Sequence, residues 1–448
     1  MASTFITRTP SSNGSETKST LSMWFKRSNL GSQQTLYYST SDNTNNKMII
    51  RFNADDTFDV RNKVGGSFPL DIETNRKFRD TSAWYHFVLK FDTTQATSSD
   101  RFKMYVNGVQ ETSFSTETYP SQNANLSMNQ TNDQLWVGAE YGSGSYFDGL
   151  ITHAHWTDGY AYDASTFGET DSTSGIWKPK TAPSVTYGTN GFFLKFENSG
   201  NLDLDSSGNN LSFTTSGTLI QTIDTPSNVF PNISKAMQPT LASNATISNG
   251  GLTSTSSSSD YTILCSMAAK KGKWYWEVKM GNASNNRTVG VVRMDKLYED
   301  SSLGGFYPGG NNNSTNYTSA YSGSGGFIET NTAGTRVQVT SGVNNTASSD
   351  IVGLYLDLDN YTLKFYRNNT LENQAALNAT WVEDFVAPCA RADHNQIMHF
   401  NFGSGFFGTT AVSSANADAN GFGAFEYSPT LSGVNYYAWC TKNIKEFG

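Results

Sequence analysis

Two pairs of carboxylates alternate along the sequence in the way that glycoside hydrolysis would need. Glu169 and Asp171 stand in FGETDS, and Asp357 and Asp359 stand in YLDLDNYT. Hydrolysis of a glycosidic bond uses two carboxyl groups that face one cleft, and alternate residues of a strand point to one face of its sheet. Each pair also sits beside a turn, where an acidic side chain commonly accepts hydrogen bonds from the backbone. We therefore expect neither pair to be catalytic and the protein not to be an enzyme.

Residues that bind metals are present without a recognisable spacing. His153 and His155 alternate in LITHAHWTDG, but a zinc site needs further ligands that the sequence does not supply nearby. Core or cross-strand packing is the simpler interpretation of both imidazoles. The segment DLDSSGNN (203–210) offers oxygen ligands for calcium, but the spacing of an EF-hand is missing. We expect no cofactor. Calcium binding is an alternative that no specific motif supports.

An aromatic loop is the candidate binding site. The segment GGFYPGGNNNSTNYTSAYSGSGG (304–326) interleaves Gly and Asn with Phe306, Tyr307, Tyr317 and Tyr321. Rings displayed on such a loop suit sugars, because the C–H face of a pyranose stacks on an aromatic ring while amides and hydroxyls bind its hydroxyl groups. Long loops on a rigid scaffold often carry function. These four residues are therefore predicted to contact a glycan or a protein partner.

Short strands must position these residues. Charged residues make up 16% of the chain against about 25% in ordinary soluble domains, while aromatics reach 13%. Alternating or apolar runs such as AWYHFVLKFD (83–92) and KWYWEVKM (273–280) are bounded by turn signals such as Asn107-Gly108, which is typical of a β-sandwich. The chain is predicted to be all-β. Four tryptophans within such runs are predicted to be core residues: Trp24, Trp84, Trp274 and Trp276.

The composition changes near the middle of the chain. Residues 224–260 hold three prolines and end in a Ser/Thr run, which indicates a boundary near residue 223. We predict one antiparallel β-sandwich over residues 1–223 and a second over residues 224–448, with 224–260 partly a linker. Each half has the size of a single all-β domain.

Charge and cysteine usage exclude several classes of protein. A net charge of −8 without a Lys/Arg run argues against binding to nucleic acid. No apolar stretch is long enough to cross a bilayer, so membrane insertion is not expected. Cys265, Cys389 and Cys440 are far apart and lack a C-x-x-C spacing, which predicts buried, reduced thiols. The first residues contain no apolar core of a signal peptide, so we expect synthesis in a cytosol.

Several segments of the chain resemble known families. RTPSSNGS (8–15), STLSMWFKRSNLG (19–31) and FDGLITHAHWTDGYAYDASTFGETD (147–171) resemble the laminin-G/concanavalin A-like domain of adhesin and fibre proteins in marine tailed bacteriophages. GKWYWEV (272–278) and GLYLDLDNYTLKFYRN (353–368) resemble a SPRY domain. The resemblance implies two concanavalin A-like sandwiches in tandem, laminin-G-like followed by SPRY-like.

The same resemblance implies a place on a virion. We expect a non-enzymatic surface protein of tail-fibre or receptor-binding type that binds host-surface polysaccharide during adsorption and is released by lysis. No collagen-like repeat, coiled coil or β-helix shaft is present, so a capsid-decoration or head-fibre protein is the first alternative. A polysaccharide depolymerase is the second. Other virion proteins are expected partners, as is a homo-oligomer, with a trimer favoured.

Overall fold

The computed structural model describes residues 4–142, 144–173, 175–234, 244–256, 261–282, 287–297, 317–322, 327–333, 335–339, 343–392 and 395–448. Contacts divide the chain into two units, Met1–Gln221 and Thr222–Gly448. Both units are built from antiparallel sheets, which confirms the all-β prediction.

The strands of the first unit are β1 (Phe5–Arg8), β2 (Lys18–Arg27), β3 (Gln34–Thr40), β4 (Lys47–Phe52), β5 (Thr57–Val64), β6 (Ser67–Lys77), β7 (Tyr85–Asp92), β8 (Phe102–Val106), β9 (Val109–Glu111), β10 (Phe114–Thr118), β11 (Gln134–Val137), β12 (Gly149–Asp158), β13 (Gly168–Thr170), β14 (Trp177–Pro179), β15 (Phe192–Leu194) and β16 (Thr214–Ser216). Short 3₁₀ turns cover Ser98–Asp100 and Ala164–Thr166. One sheet has the order β10-β6-β5-β4-β3-β11-β1-β16, and the other has the order β15-β12-β2-β7-β8-β9.

Aromatic side chains fill the space between these two sheets. Phe25 and Phe87 come from the six-stranded sheet and Phe52 and Phe58 from the eight-stranded sheet, and all four are buried. The rings of Phe58 and Phe87 are 4.5 Å apart and nearly perpendicular, the edge-to-face arrangement that aromatic pairs prefer. The period-2 pattern of β2, β4, β5 and β7 places these rings on the inner faces.

A second layer covers the outer face of the six-stranded sheet. Ala164 and Phe167 pack on Val88 of β7, together with the half-buried ring of Trp177 in the β13–β14 hairpin. A Cβ atom at Gly168 of β13 would lie 2.4 Å from the indole of Trp177 in β14. Glycine at this position therefore lets the indole lie directly against the backbone of β13. The outer layer explains why most residues of β2 and β7 are buried on both faces of the sheet, including polar residues such as Ser22 and His86.

The strands of the second unit are β17 (Ile233–Ser234), β18 (Ala245–Ser248), β19 (Thr253–Ser256), β20 (Tyr261–Cys265), β21 (Lys273–Met280), β22 (Arg287–Arg293), β23 (Tyr317–Ser322), β24 (Phe327–Thr332), β25 (Thr335–Val339), β26 (Ile351–Asp357), β27 (Thr362–Arg367), β28 (Thr370–Ala376), β29 (Val386–Ala392), β30 (Ile397–Asn401), β31 (Phe406–Phe407), β32 (Thr410–Ala411), β33 (Thr430–Leu431), β34 (Val434–Asn435) and β35 (Tyr437–Ala438). Short 3₁₀ turns cover Met294–Leu297 and Ala379–Glu383, and helix α1 covers Thr441–Phe447. The two main sheets have the orders β17-β20-β29-β22-β23-β24-β25 and β18-β19-β30-β21-β26-β27-β28, and β35 pairs with β21 in parallel.

The C-terminal segment is part of the second unit. Phe425, Tyr436 and Ala438 pack on Tyr275 and Tyr355, which point outward from β21 and β26. All five residues are at most 2% exposed. The segment therefore covers the outer face of this sheet as a third layer.

A buried carboxylate fastens that segment to the sheet. Glu277 of β21 is 0% exposed, and its Oε1 accepts hydrogen bonds from the hydroxyl of Tyr275 at 2.9 Å and the amide of Tyr427 at 2.8 Å. Its Oε2 accepts from Nδ2 of Asn401 at 3.1 Å and from the amide of Glu426 at 3.0 Å. Four donors satisfy an ionisable group that burial would otherwise make costly.

The expected linker contains strands where the structure describes it. Ala245–Ser248 pairs with Thr253–Ser256, and the latter pairs with Ile397–Asn401 in the second unit. Ile247 is 1% exposed. Residues 235–243 and 257–260 lie outside the described residues. The Ser/Thr-rich composition suggested a linker, but Thr and Ile are β-branched and fit a pleated sheet, and pairing satisfies the backbone that a linker would leave to water.

The core predictions for tryptophan and cysteine are confirmed. The exposed fractions of Trp24, Trp84, Trp274 and Trp276 are 2%, 7%, 0% and 1%. All three cysteines are free and buried, and burial raises the pKa of the Cys389 thiol, which disfavours the reactive thiolate.

Candidate functional site

A cleft opens at the side of the first unit where both of its sheets have an edge. Strand β9 ends the six-stranded sheet, β10 ends the eight-stranded sheet, and Thr112 and Ser113 connect them. An Asn-Gly turn forms the preceding hairpin, with φ of 48° at Asn107 and 82° at Gly108, the left-handed conformations of a tight hairpin turn. The short connections hold the two edges side by side and leave the cleft between them.

The cleft has a volume of about 220 Å³ and combines an apolar floor with polar walls. Phe102 and Met104 of β8 are buried beneath it, and the ring of Phe114 is half-buried. Its lining consists of Ser99, Asp100, Phe102, Lys103, Met104, Gln110, Glu111, Thr112, Phe114, Glu117 and Tyr119. Concave sites with apolar surface and a few polar groups are typical of ligand binding.

Three carboxylates of the cleft differ in their partners. Asp100 accepts from Nζ of Lys103 at 3.0 Å. Glu111 has a distant ion pair with Arg76 at 3.9 Å and accepts hydrogen bonds from two backbone amides of the Thr112–Ser113 connection at 3.1 and 3.0 Å. These two carboxylates are therefore committed to the protein.

Glu117 has a different environment. It is exposed, and its Oε1 accepts a 2.6 Å hydrogen bond from the hydroxyl of Tyr119. Burial of the ring, followed by the neighbouring carboxylate, raises the pKa of Tyr119, so the hydroxyl stays a donor at neutral pH. The short bond holds Glu117 beside the ring of Tyr119, and within the described residues its other oxygen accepts no hydrogen bond.

Each of the two carboxylate pairs singled out in the sequence forms ion pairs with one lysine. Nζ of Lys178 is 3.6 Å from Glu169 and 2.9 Å from Asp171. Nζ of Lys273 is 3.1 Å from Asp357 and 2.8 Å from Asp359. Asp357 also accepts from the backbone amides that follow it in the turn. Both pairs thus have the structural roles that their positions beside turns suggested.

A bulge separates the two alternating histidines of β12, and the rings of both lie near that of Phe193. A bulge interrupts the pairing of β12 with β2 between Thr152 and His155, and His153 adopts a φ of 47°. His155 is 2% exposed and stacks on Phe193 at 3.8 Å. Burial lowers its pKa well below the ordinary value. The packing interpretation of His155 is confirmed, and the ring of His153 lies 5.8 Å from that of the same Phe193, although the extra residue of the bulge interrupts the regular alternation of the strand.

In the acidic loop 203–210, the buried carboxylate of Asp205 accepts hydrogen bonds from backbone amides. Asp205 accepts hydrogen bonds from the amides of Phe193, Ser207 and Leu211 at 3.0, 2.9 and 3.0 Å. Within the ranges that the structure describes, no three His, Cys, Asp or Glu side chains are grouped as a metal site. Nor does any helix there have the length and apolarity to cross a bilayer.

Two of the four predicted aromatic contact residues lie in a strand of the second unit. Phe306 and Tyr307 lie outside the described residues, and Tyr317 begins strand β23. Tyr321 lies on the same strand and is 1% exposed in the core, where its hydroxyl donates to the carbonyl of Asn344. Its assignment as an exposed contact residue is wrong, because β23 pairs on both sides with β22 and β24 and buries its side chain.

Sequence reasoning missed the cleft between β9 and β10. Most of its polar residues stand in the segment VNGVQETSFSTETY (106–119), where polar and apolar types alternate as in any partly exposed strand, and the others are Ser99, Asp100 and Lys103. The Asn-Gly turn located the hairpin. The sequence offers no signal that two sheet edges meet there, because strand order is set by distant pairings.

Comparison with known proteins finds a family match within each unit. Residues 3–162 match the family described as Concanavalin A-like lectin/glucanases superfamily, and residues 273–405 match the SPRY domain. No curated protein sequence matches the chain.

Solved structures share similarity with the chain over about a third of its length. The SPRY domain of human HERC1 is 16% identical, with a TM-score of 0.28, over 35% of this chain and 91% of that chain. Stonustoxin is 20% identical, with a TM-score of 0.27, over 35% of this chain and 25% of that chain. The PSpry domain of TRIM65 is 12% identical, with a TM-score of 0.26, over 35% of this chain and 85% of that chain. The family matches and the sheets together identify this protein as a concanavalin A-like domain followed by a C-terminal SPRY domain, a combination that fits a binding role.

Proposed function

We propose that this protein is a non-enzymatic surface component of a bacteriophage virion that binds a host-surface glycan during adsorption. The cleft between β9 and β10 carries the proposal, since it offers apolar surface, an amide and a carboxylate on a domain matched to a lectin-type family. The rings of Phe114 and Tyr119 suit the C–H face of a sugar. The similarity of the N-terminal segments to phage adhesin proteins supports the virion location.

Binding without hydrolysis is the favoured activity. Lysines neutralise both carboxylate pairs that alternate in the sequence. In the cleft, the carboxylate of Asp100 is engaged by Lys103 and that of Glu111 by backbone amides. A glycosidase needs one free carboxylic acid and one free carboxylate across the scissile bond, and these contacts do not favour that arrangement.

Binding of the purified protein to bacterial cells and to a glycan array tests this function. We expect saturable binding that the isolated polysaccharide competes away, without release of reducing ends. Absence of binding to both cells and polysaccharide would contradict the proposal and favour capsid decoration. Release of reducing ends would show a depolymerase. Labelling of intact particles separates tail from head, and the oligomeric state, for which we favour a trimer, follows from light scattering.

A further inference from the structure

We infer that the cleft prefers saccharides without anionic groups to anionic ones. Among the saccharides without anionic groups, we infer that it binds those with a free amine more tightly than those without. The inference rests on the proposed glycan binding and adds the chemical class of the sugar. It starts from the balance of charge among the lining residues, of which Glu117 has no ion pair with a cationic side chain in the part of the chain that the structure describes.

The other charges of the cleft are matched. Asp100 and Lys103 lie 3.0 Å apart, and Glu111 has both an arginine 3.9 Å away and two amide donors. Glu117, by contrast, receives its hydrogen bond from the neutral hydroxyl of Tyr119. One full negative charge is therefore left at the mouth of the cleft. A uronate or sulfate placed there would meet a like charge, which disfavours binding and slows association.

The hydrogen-bonding capacity points the same way. An ionised carboxylate only accepts, and in the described residues the hydrogen bonds of Glu117 use Oε1, which leaves Oε2 for a ligand donor. Sugar hydroxyls and ammonium groups donate, whereas carboxylate and sulfate groups do not. Gln110 is exposed on β9 and makes no hydrogen bond through its side chain within the described residues. Its amide can both donate to and accept from the same sugar.

Apolar surface fixes the orientation of the bound ring. The half-buried rings of Phe114 and Tyr119 belong to opposite ends of β10 and its extension, and both pack against the core of the unit. The side chains of Phe102 and Met104 close the floor. A pyranose that stacks on Tyr119 brings its polar edge to Glu117, which the Tyr119 hydroxyl holds in place.

Titration calorimetry with three tetrasaccharides tests the inference: a chitosan tetramer with free amines, its N-acetylated counterpart and an alginate tetramer. We expect the amine-bearing sugar to bind about 2–5-fold more tightly than the neutral one, as an exposed ion pair allows, and the alginate to bind most weakly. The differences should shrink in 0.5 M salt, where charges are screened. Preferred binding of alginate, or equal binding of all three, would overturn the inference.

The variant Glu117→Gln keeps the shape of the side chain and removes its charge. It should abolish the preference for the amine and raise the affinity for alginate, and Tyr119→Phe should weaken the preference because Glu117 is no longer held. Glu197→Gln is the matched control, since that exposed carboxylate follows β15 at the other edge of the six-stranded sheet. It should change none of the affinities.

The results separate this inference from the proposed function. Binding to host cells with no effect of Glu117→Gln, or without binding of any tetramer, would reject the cleft inference and leave glycan binding standing. Absence of binding to cells and to every glycan would reject both.

Discussion

The indole of Trp177 donates a 2.9 Å hydrogen bond to Nδ1 of His86. Because an indole N–H can only donate, Nδ1 carries no proton, and Nε2 is left to donate to the hydroxyl of Ser22 at 2.9 Å. The imidazole also stacks on Trp24 at 4.5 Å. A single neutral tautomer of His86 thereby joins the β13–β14 hairpin to strands β2 and β7.

Acid should destabilise the first unit through His86. Burial, together with repulsion from His153, lowers the pKa of His86 to about 3 in the folded state, whereas the unfolded chain titrates near 6.5. The unfolded state therefore binds more protons between these values, and stability falls as the pH drops below 6.5. The loss between pH 7 and 5 is about 2 kcal/mol for one such group.

Chemical denaturation of His86→Gln at several pH values measures this contribution. The difference in unfolding free energy between wild type and variant should narrow as the pH falls from 7 to 5, because the variant lacks the proton uptake. Trp177→Phe removes the donor while keeping a ring and should cost about 1–3 kcal/mol. A pH-independent difference for His86→Gln would show that the pKa of His86 is the same in the folded and unfolded states, which would contradict the expectation.

The opposite pH dependence is expected from Glu277 in the second unit. Burial raises its pKa to about 7 despite four hydrogen bonds that favour the charged form. Between pH 4.5 and 7 the folded domain binds the proton more tightly than the unfolded chain does. The resulting stability is complete below about pH 4.5 and is lost as the pH rises through 7, by an amount on the order of 1–3 kcal/mol.

Glu277→Gln should remove this pH dependence and lower the stability at every pH. The carboxamide nitrogen of Gln would replace either Oε1 or Oε2 and would then face two hydrogen-bond donors of the protein. Those donors would lose their acceptor, which lowers the free energy of unfolding by roughly 1–3 kcal/mol. Thermal unfolding of the second unit at pH 5 and 8 measures both effects. Glu446→Gln on the exposed side of α1 is the control and should leave the melting temperature unchanged.

Phe447 should contribute to stability although it stands at the end of the last helix. Its ring stacks on Tyr437 at 3.9 Å and packs against the core of the second unit. Phe447→Ala should cost about 1–2 kcal/mol, as expected for a half-buried ring, which corresponds to roughly 2–8 °C in melting temperature. Lys445→Ala, an exposed position on the same helix, should have little effect. Equal melting curves for the two variants would mean that the helix does not dock.

Tyr321 should behave as a core residue in mutagenesis. Tyr321→Ala removes a ring that lies 6.1 Å from Phe365 in the interior, and the loss should be about 3–5 kcal/mol in the second unit. Tyr321→Phe keeps the ring, loses the bond to Asn344 and should cost about 1 kcal/mol. Glycan binding by the first unit should be unchanged in both. A stable Tyr321→Ala protein with weakened glycan binding would restore the original contact assignment.

Local patterns in the sequence were sufficient for the strands and their inner faces. Runs around Trp84 and Trp274 alternate in type and lie in strands as predicted, and the Asn107-Gly108 dipeptide forms the predicted turn. These features depend on neighbouring residues, so the sequence contains the information directly.

Features that depend on distant pairing could not be predicted in this way. Tyr321 stands among Gly, Ser and Asn, and its burial follows from the position of β23 between two strands. The bulge at His153 and the meeting of β9 with β10 likewise result from sheet assembly. Composition identified these segments as polar but gave no strand order.

The contact between Glu277 and the amide of Tyr427 also sets an order of events during synthesis. The two residues are 150 positions apart, so a ribosome that adds about 5–20 residues per second makes the acceptor roughly 8–30 s before its donor. Through that interval the outer faces of β21 and β26 lack their cover, while the first unit has its whole sequence. The first unit can therefore fold before this cover exists, whereas the outward rings of Tyr275 and Tyr355 stay uncovered until residues 425–438 have been made.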